Sequence, residues 1–582
     1  MEDLSEEKEN EFEEPLLITS SQSPKGGFRT FPFIIGNSAL LFMAIYALTP
    51  DMILYLMKEY NMDMASGSNV LYLWSAALNF TPVIGALVGD SFVGRFQMIG
   101  LGSGLCLLGM AMFWSTTAIP QARPPPCNED DNVCTSATTF QLLTLFTSFI
   151  LVALGSGAAR SCSLAFGADQ LQDLQKTTTG CMERYFGWYY AISSFSVLVA
   201  MTVLVYIQEN MGWEIGYGVL VLVMLISLVV FFLGSSFYVK PKAKESLIVG
   251  LIQVAVASYR KRNLKCSERN SSDVAYHQKG SSLLRPTEKL RFLNKACIIQ
   301  DPQRDLTSDG KPTDPWNLCT VDQVEELKSL LKVTPIWFTG VIMSINVSQG
   351  SFGILQATTM DRRIGTAFEI PAGSVGMFAI VSVVLWIVLY DRFIIPLASR
   401  AMRKPVHFST KARMGCGIFA SFLSVAVAAS VETVRRRRAI DEGFADSPDE
   451  VVGMSVLWLV PSNLLAGFAE GLSAVAQNEF YISEFPKSMS SIASSMFLLG
   501  MGFASLLASV VMNVINDLTG GKGGGESWIS SNINKGHYDY YQWILAGLSM
   551  VNLLLFFVCS RVYGPCKDEN MEVVPLGRED QP

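Results

Sequence analysis

Charge is scarce in this chain: only 16% of its 582 residues are Asp, Glu, Lys or Arg, against roughly a quarter in soluble domains. Histidine is rarer still, with three in all, which excludes His-rich relay or metal chemistry. The 11 cysteines show no paired zinc spacing and no Cys/His constellation. There is no excess of basic charge, 44 Lys and Arg standing against 51 Asp and Glu for a net charge of −7. A nucleic-acid partner, which calls for a basic surface, is therefore not expected. A nucleophile–base pair and a phosphate loop are both missing. The run Gly100-Leu-Gly102-Ser-Gly104 follows no strand and lies inside an apolar segment, where its small residues suit close helix packing. The expectation is no enzyme, no cofactor and no metal site.

Apolar residues are what the chain does have: half of it is hydrophobic. They gather into blocks of roughly 18–25 residues, the length that crosses a hydrocarbon core of about 30 Å. The expected fold is an all-α membrane protein of twelve transmembrane helices. The first six are read at Phe33–Tyr55, Val70–Val88, Met98–Ile119, Leu142–Phe166, Tyr185–Ile207 and Ile215–Val239. The second six are read at Val333–Leu355, Ala372–Tyr390, Gly415–Val431, Met454–Ala474, Ile492–Ile515 and Trp543–Tyr563. The division is an acidic tail (1–32), a six-helix half (33–239), a hydrophilic linker (240–326), a second six-helix half (327–563) and a short tail (564–582). Arg260-Lys261-Arg262, Lys289, Arg291 and Lys295 make the linker basic, which places it, and both termini, in the cytosol. The run Arg435-Arg436-Arg437-Arg438 then falls on the opposite side, and a helix protruding beyond the bilayer would absorb it. Cys127 and Cys134 share one outer loop, where a small disulfide and two free thiols are both open.

Two joined six-helix halves are the layout of repeat-built secondary transporters, whose substrate sits between the halves. Ionisable residues inside such spans are functional candidates by default. Arg160 in the fourth span and Glu470 in the tenth occupy equivalent places at similar depth. They could pair in one state and part in another, or form a permanent bridge. Asn346, Ser348, Gln349 and Ser351 put polar groups into the seventh span, either to meet substrate or to bond a neighbouring helix. Tyr190, with Tyr189 and Tyr46, is a candidate cavity aromatic. Asp90 and Arg95 flank a glycine turn between the second and third spans and are candidate gating residues.

Several separated motifs, in order along nearly the whole chain, carry a resemblance. They are Lys25-Gly-Gly27, Asn79-Phe-Thr-Pro82, Gly85 through Gly94-Arg95, Ile119-Pro-Gln-Ala-Arg-Pro-Pro-Pro-Cys127 and Phe166-Gly-Ala-Asp169-Gln170. Pro335-Ile-Trp337, Asn346-Val-Ser-Gln349, Asp391-Arg392 and Gln477-Asn-Glu479-Phe480 complete the set. The chain resembles the plant nitrate/peptide transporter family, within the proton-coupled oligopeptide transporters of the major facilitator fold. The resemblance implies a secondary transporter in a plant membrane, the plasma membrane favoured over the vacuolar one. Its partners would be the lipid bilayer, a small anion (nitrate, a short peptide, a hormone or another organic acid) and, as a candidate, protons. It further implies that Arg160 stands where many members carry a substrate-binding Lys, and that Glu470 matches a substrate-facing acid. Val347 replaces the His of one nitrate-transporting branch. The family's first-span acid–x–x–acid–base motif, linked to proton coupling, is absent: Ser38, Leu41 and Phe42 stand there. An uncoupled facilitator or exporter, and a non-transporting sensor of the same fold, are the alternatives.

Overall fold

The computed structural model describes residues 26–125, 136–171, 181–240, 247–263, 275–278, 285–307, 310–365, 368–403, 408–520 and 527–565. Cys127 and Cys134 lie outside the described residues. Among those that are described, twelve helical stretches are long and apolar enough to cross a membrane.

The first half is built from α1 (Phe31–Leu48), a short α2 (Met52–Glu59), α3 (Met64–Val88), α4 (Arg95–Ala118) and α5 (Thr139–Asp169). It continues with α6 (Cys181–Val199), which runs through a wider turn into α7 (Val205–Met211), and ends with α8 (Trp213–Leu233). The linker carries α9 (Leu247–Arg260). The second half holds α10 (Val321–Val347), α11 (Gly350–Thr358), α12 (Met377–Leu389), α13 (Ile395–Met402), α14 (Thr410–Asp441), α15 (Val460–Glu484), α16 (Ser490–Thr519) and α17 (Tyr538–Tyr563). Two small ribbons cap one end. Strand β1 (Met360–Asp361) pairs in parallel with β4 (Val452–Ser455), and β2 (Arg363–Ile364) pairs antiparallel with β3 (Phe368–Glu369). The linker joins α8 to α10 at one end of the bundle, here the linker end; the ribbons mark the far end.

Local signals set the helix starts. Asp63 accepts the backbone N–H of Ser66 at 3.2 Å to cap α3. Thr138 with Gln141, and Thr320 with Gln323, form reciprocal capping boxes on α5 and α10. Inside each half, helices approach closely where side chains are small. A Cβ on Gly155 of α5 would sit 2.3 Å from the Cys106 backbone nitrogen of α4, and one on Gly102 only 2.7 Å from Ala159 N. Of the glycines read as packing residues, Gly104 alone faces open space.

The structure refines three boundaries. The first span ends at Leu48, and Thr49-Pro50-Asp51 turns the chain into α2, because Pro50 cannot extend the hydrogen-bond ladder. The seventh span begins twelve residues before Val333, at Val321. Helix α14 runs 32 residues, or about 48 Å, well past a core of about 30 Å. That overhang carries the Arg435–Arg438 run out of the bilayer, and Arg435 is fully buried there against Glu432 at 2.8 Å. The basic run is thus a far-end anchor.

Candidate functional site

Each half is clamped at the linker end by one arginine. Arg95, opening α4, meets Asp90 of the preceding turn at 2.8 Å and Asp169 at the close of α5 at 2.8 Å. Gly94, at φ 88°, makes the turn that aims it. In the second half Arg413, near the start of α14, bonds Glu479 on α15, with its guanidinium carbon 5.6 Å from the Tyr390 ring. These two clamps tie equivalent helix pairs, α4 to α5 and α14 to α15. Arg413 was missed in the sequence, although Glu479 sits in a quoted motif, because nothing local links residues 66 positions apart.

The clamps index the two halves against each other. Arg160 lies nine residues before Asp169, and Glu470 nine before Glu479. Nine residues are two and a half turns, about 13.5 Å along the helix and on its opposite face. Both candidates therefore stand at one depth and point away from the clamped neighbour. Arg160 is half-buried and holds its guanidinium carbon 5.1 Å over the Phe42 ring of α1, which in turn stacks on Tyr46 at 6.1 Å. The Phe42 ring thus offers the guanidinium an aromatic face. Arg160 and Glu470 are not joined as an ion pair, and among the described residues neither has a carboxylate or basic partner. Glu470 is half-buried, on the same stripe of α15 as Gln477, against which Gly340 of α10 packs.

The remaining candidates go to different places. Asn346 donates to Ser421 and Ser549, both at 2.8 Å, within the second half. Gln349 sits between halves: its Oε1 accepts from Tyr72 of α3 at 2.7 Å and from Tyr541 of α17 at 3.0 Å. Tyr190 is 58% exposed and lies edge-on to buried Tyr189. Toward the far end α3 packs on α16. There Asn69 bonds Asn513 and Ser509, and Ser531 accepts the Met64 N–H at 3.0 Å. Beyond these, Glu209 at the end of α7 bonds Arg362 and accepts the Ala372 N–H at 3.0 Å. The halves are thus sealed at the far end. Glu209 and Arg362 are separated by 153 positions and carried no sequence signal.

Comparison with known proteins speaks for the family and the fold. The POT family pattern matches residues 96–529. Protein NRT1/PTR FAMILY 1.2 of Arabidopsis thaliana is 50% identical over 568 residues, covering 96% of this chain and 93% of the relative. Protein NRT1/PTR FAMILY 1.1 of the same plant is 48% identical, covering 100% and 98%. The solved structure of an auto inhibited POT family peptide transporter superposes with a TM-score of 0.67 at 19% identity, over 92% of this chain and 98% of that one. That likeness speaks for the fold: two six-helix halves of the major facilitator type. Family and fold are those of transporters and not of enzymes, and this multi-pass membrane protein belongs to the POT family, among its NRT1/PTR members.

Proposed function

We propose that this chain carries a small anion, nitrate or an organic acid such as a short peptide or hormone, across a plant membrane by alternating access. Arg160 is the anion-binding group and Glu470 the acid facing it from the other half. The observation that carries this reading is a half-buried guanidinium stacked on Phe42, at the depth of a glutamate in the repeat-equivalent helix, neither having an ionic partner among the described residues. An arginine stays charged in any ordinary site, so an arriving anion finds the counter-charge that the protein itself withholds. Asp90–Arg95–Asp169 and Arg413–Glu479 hold the helix pairs as rigid bodies while the halves rock. The basic linker supports a cytosolic linker end with the far end outside, and the plasma membrane is the favoured location.

Uncoupled movement is the second reading, and Ser38, Leu41 and Phe42 favour it, since no acid remains where the family's coupling motif would stand. Labelled nitrate uptake and efflux in oocytes, at pH 5.5 and 7.4 with membrane current recorded, separates the two. Acid-stimulated uptake with inward current supports coupled transport, and flux without pH dependence, carrying only the current of the anion itself, supports the facilitator. Absence of flux for nitrate, peptides and organic acids in both directions, with the chain at the cell surface, would refute transport altogether.

A further inference from the structure

One carboxylate of the far-end seal is left unsatisfied among the described residues. Asp51, in the turn after α1, is 1% exposed, and among the described residues neither of its carboxylate oxygens has a hydrogen-bond partner. Its cover comes from the other half: a Cβ on Gly373 would sit 2.2 Å from Asp51 Oδ1 and 3.0 Å from Pro50. A side chain at position 373 would therefore have to displace the Asp51 carboxylate for the halves to meet here. The Gly373 N–H leans toward the carboxylate from outside hydrogen-bond geometry.

Every charged group around Asp51 is either like-charged or already engaged. Glu209 on α7 faces it as a second carboxylate. Arg362, between β1 and β2, is the nearby cation, but its guanidinium bonds Glu209, Glu369 at 2.8 Å and the Ile370 carbonyl. Tyr217 on α8 faces Asp51 with a hydroxyl that is also unpartnered. On α2, Tyr55 is bonded to Thr116 and Glu59 to Arg123. The closed seal thus holds Asp51, Glu209 and Glu369 around the guanidinium of Arg362. A buried, unpaired carboxylate beside another is costly, and a proton removes that cost.

We propose that Asp51 is a proton-binding site that latches the far end shut: the seal closes over the neutral acid, and the carboxylate favours parting of the halves. The proton is taken from solution on the far side when the halves are open there. It joins a carboxylate oxygen and returns to the same side on reopening, so the latch sets the position of the conformational equilibrium without itself carrying a proton across. This rests on the transporter reading above, since a far end that never opens needs no latch. It also means that acid-stimulated flux alone does not demonstrate symport.

The sign follows from linkage. Burial first, then the Glu209 charge, raise Asp51 from an ordinary 3.8 to about 7 in the closed seal, while Arg362 and the Gly373 N–H pull weakly the other way. Exposed in the open state, it returns to the ordinary range. Closure is therefore fully favoured below about pH 4, is progressively lost up to about pH 7, and is flat above. Across that window one released proton changes the closed-to-open ratio by about tenfold per pH unit at most.

The test needs no substrate. Full-length protein in nanodiscs is spin-labelled at Lys58→Cys and Asp449→Cys, exposed far-end positions of the two halves, with other reactive cysteines replaced by serine. Electron–electron distances are read from pH 5 to pH 8.5. The expected result is a short-distance population that shrinks between pH 5 and pH 7 and is constant above. Asp51→Asn should hold that population at its low-pH level throughout, and Asp51→Glu should restore the pH response. Wild-type pH dependence in Asp51→Asn would overturn the latch, and so would a pH-independent distance in the unsubstituted chain. Monodisperse elution of each variant guards against misfolding. Failure of the transporter reading would show instead as absent flux, which this distance does not report.

Discussion

A guanidinium inside a membrane bundle costs at least about 2.5–3.5 kcal/mol unless something compensates it, and at Arg160 the compensation is a ring. Cation–π contact over Phe42 is worth roughly 0.5–2 kcal/mol, which leaves the charge under-satisfied and receptive to an anion. Arg160→Leu is therefore expected to abolish nitrate uptake at unchanged surface expression. Phe42→Leu, which keeps the charge but removes the compensating ring face, should lower the apparent KM by at most about two- to thirtyfold, with a smaller effect on maximal rate. Uptake kinetics in oocytes read both, and an Arg160→Leu variant with wild-type kinetics would remove Arg160 from the site. For Glu470, replacement by Gln keeps the shape and deletes the charge. Transport should fall, or lose whatever pH dependence the parent shows, with expression intact; an unaltered rate and pH profile would leave Glu470 a packing residue.

Helix α14 illustrates what an element can carry beyond the bilayer. Its far-end overhang buries Arg435 completely, with Nε and Nη2 on Glu432, Nη1 on Thr359 and Asn534, and a bond to the Ile533 carbonyl. Gln356 adds a bond to Glu432 at 2.7 Å. Three segments of the second half, α14, the end of α11 and the loop before α17, are tied by this one knot. Removing one partner of a fully buried pair typically costs about 3–5 kcal/mol, because the other is left charged and dry. Glu432→Ala should lower the thermal midpoint of purified protein clearly, whereas Glu432→Leu with Arg435→Met should lower it less than Glu432→Ala alone. Scanning fluorimetry in detergent reads both, and equal midpoints for Glu432→Ala and the parent would dismiss the knot. The same element shows where sequence legibility stops. Hydropathy marks the part of α14 that lipid would cover, Gly415–Val431, because membrane-length apolar runs are hard to mistake. Its polar ends are helical for reasons of distant packing, which composition does not display. The break after Leu48 escaped for the opposite reason: apolar residues continue through α2 to Met57 and mask the turn that Pro50 imposes. At the site, Arg160 and Glu470 stood out because charge inside an apolar span is conspicuous. Asp51 falls at the outer end of the expected first span, and Glu209, on α7, and Arg362, between β1 and β2, lie where a charged residue is ordinary; none of the three stands out until a partner half closes over it.

For the molecule as a whole, the far-end contacts decide which side the cavity faces, and they are mostly neutral hydrogen bonds. Gln349 is the one best placed for a test. Its Oε1 takes hydroxyls from Tyr72, 2% exposed, and Tyr541, fully buried, and so links α3 of one half to α17 of the other. Gln349→Leu keeps the volume but leaves two buried hydroxyls without an acceptor in the closed arrangement. When the far end parts, Tyr72 at least gains water. A buried unsatisfied hydroxyl costs about 1–3 kcal/mol, so the substitution should move the closed-to-open ratio roughly five- to 150-fold toward the open form. Spin labels at positions 58 and 449 would report this as growth of the long-distance population at every pH, superimposed on the pH response of Asp51 and not replacing it. Additivity is the sharper part of the expectation, because a hydrogen bond and a proton site that act on one two-state seal must shift the same equilibrium by independent amounts. If Gln349→Leu left the distances unchanged, the Tyr72–Gln349–Tyr541 bridge would be packing within a permanently joined end. The halves would then have to pivot elsewhere.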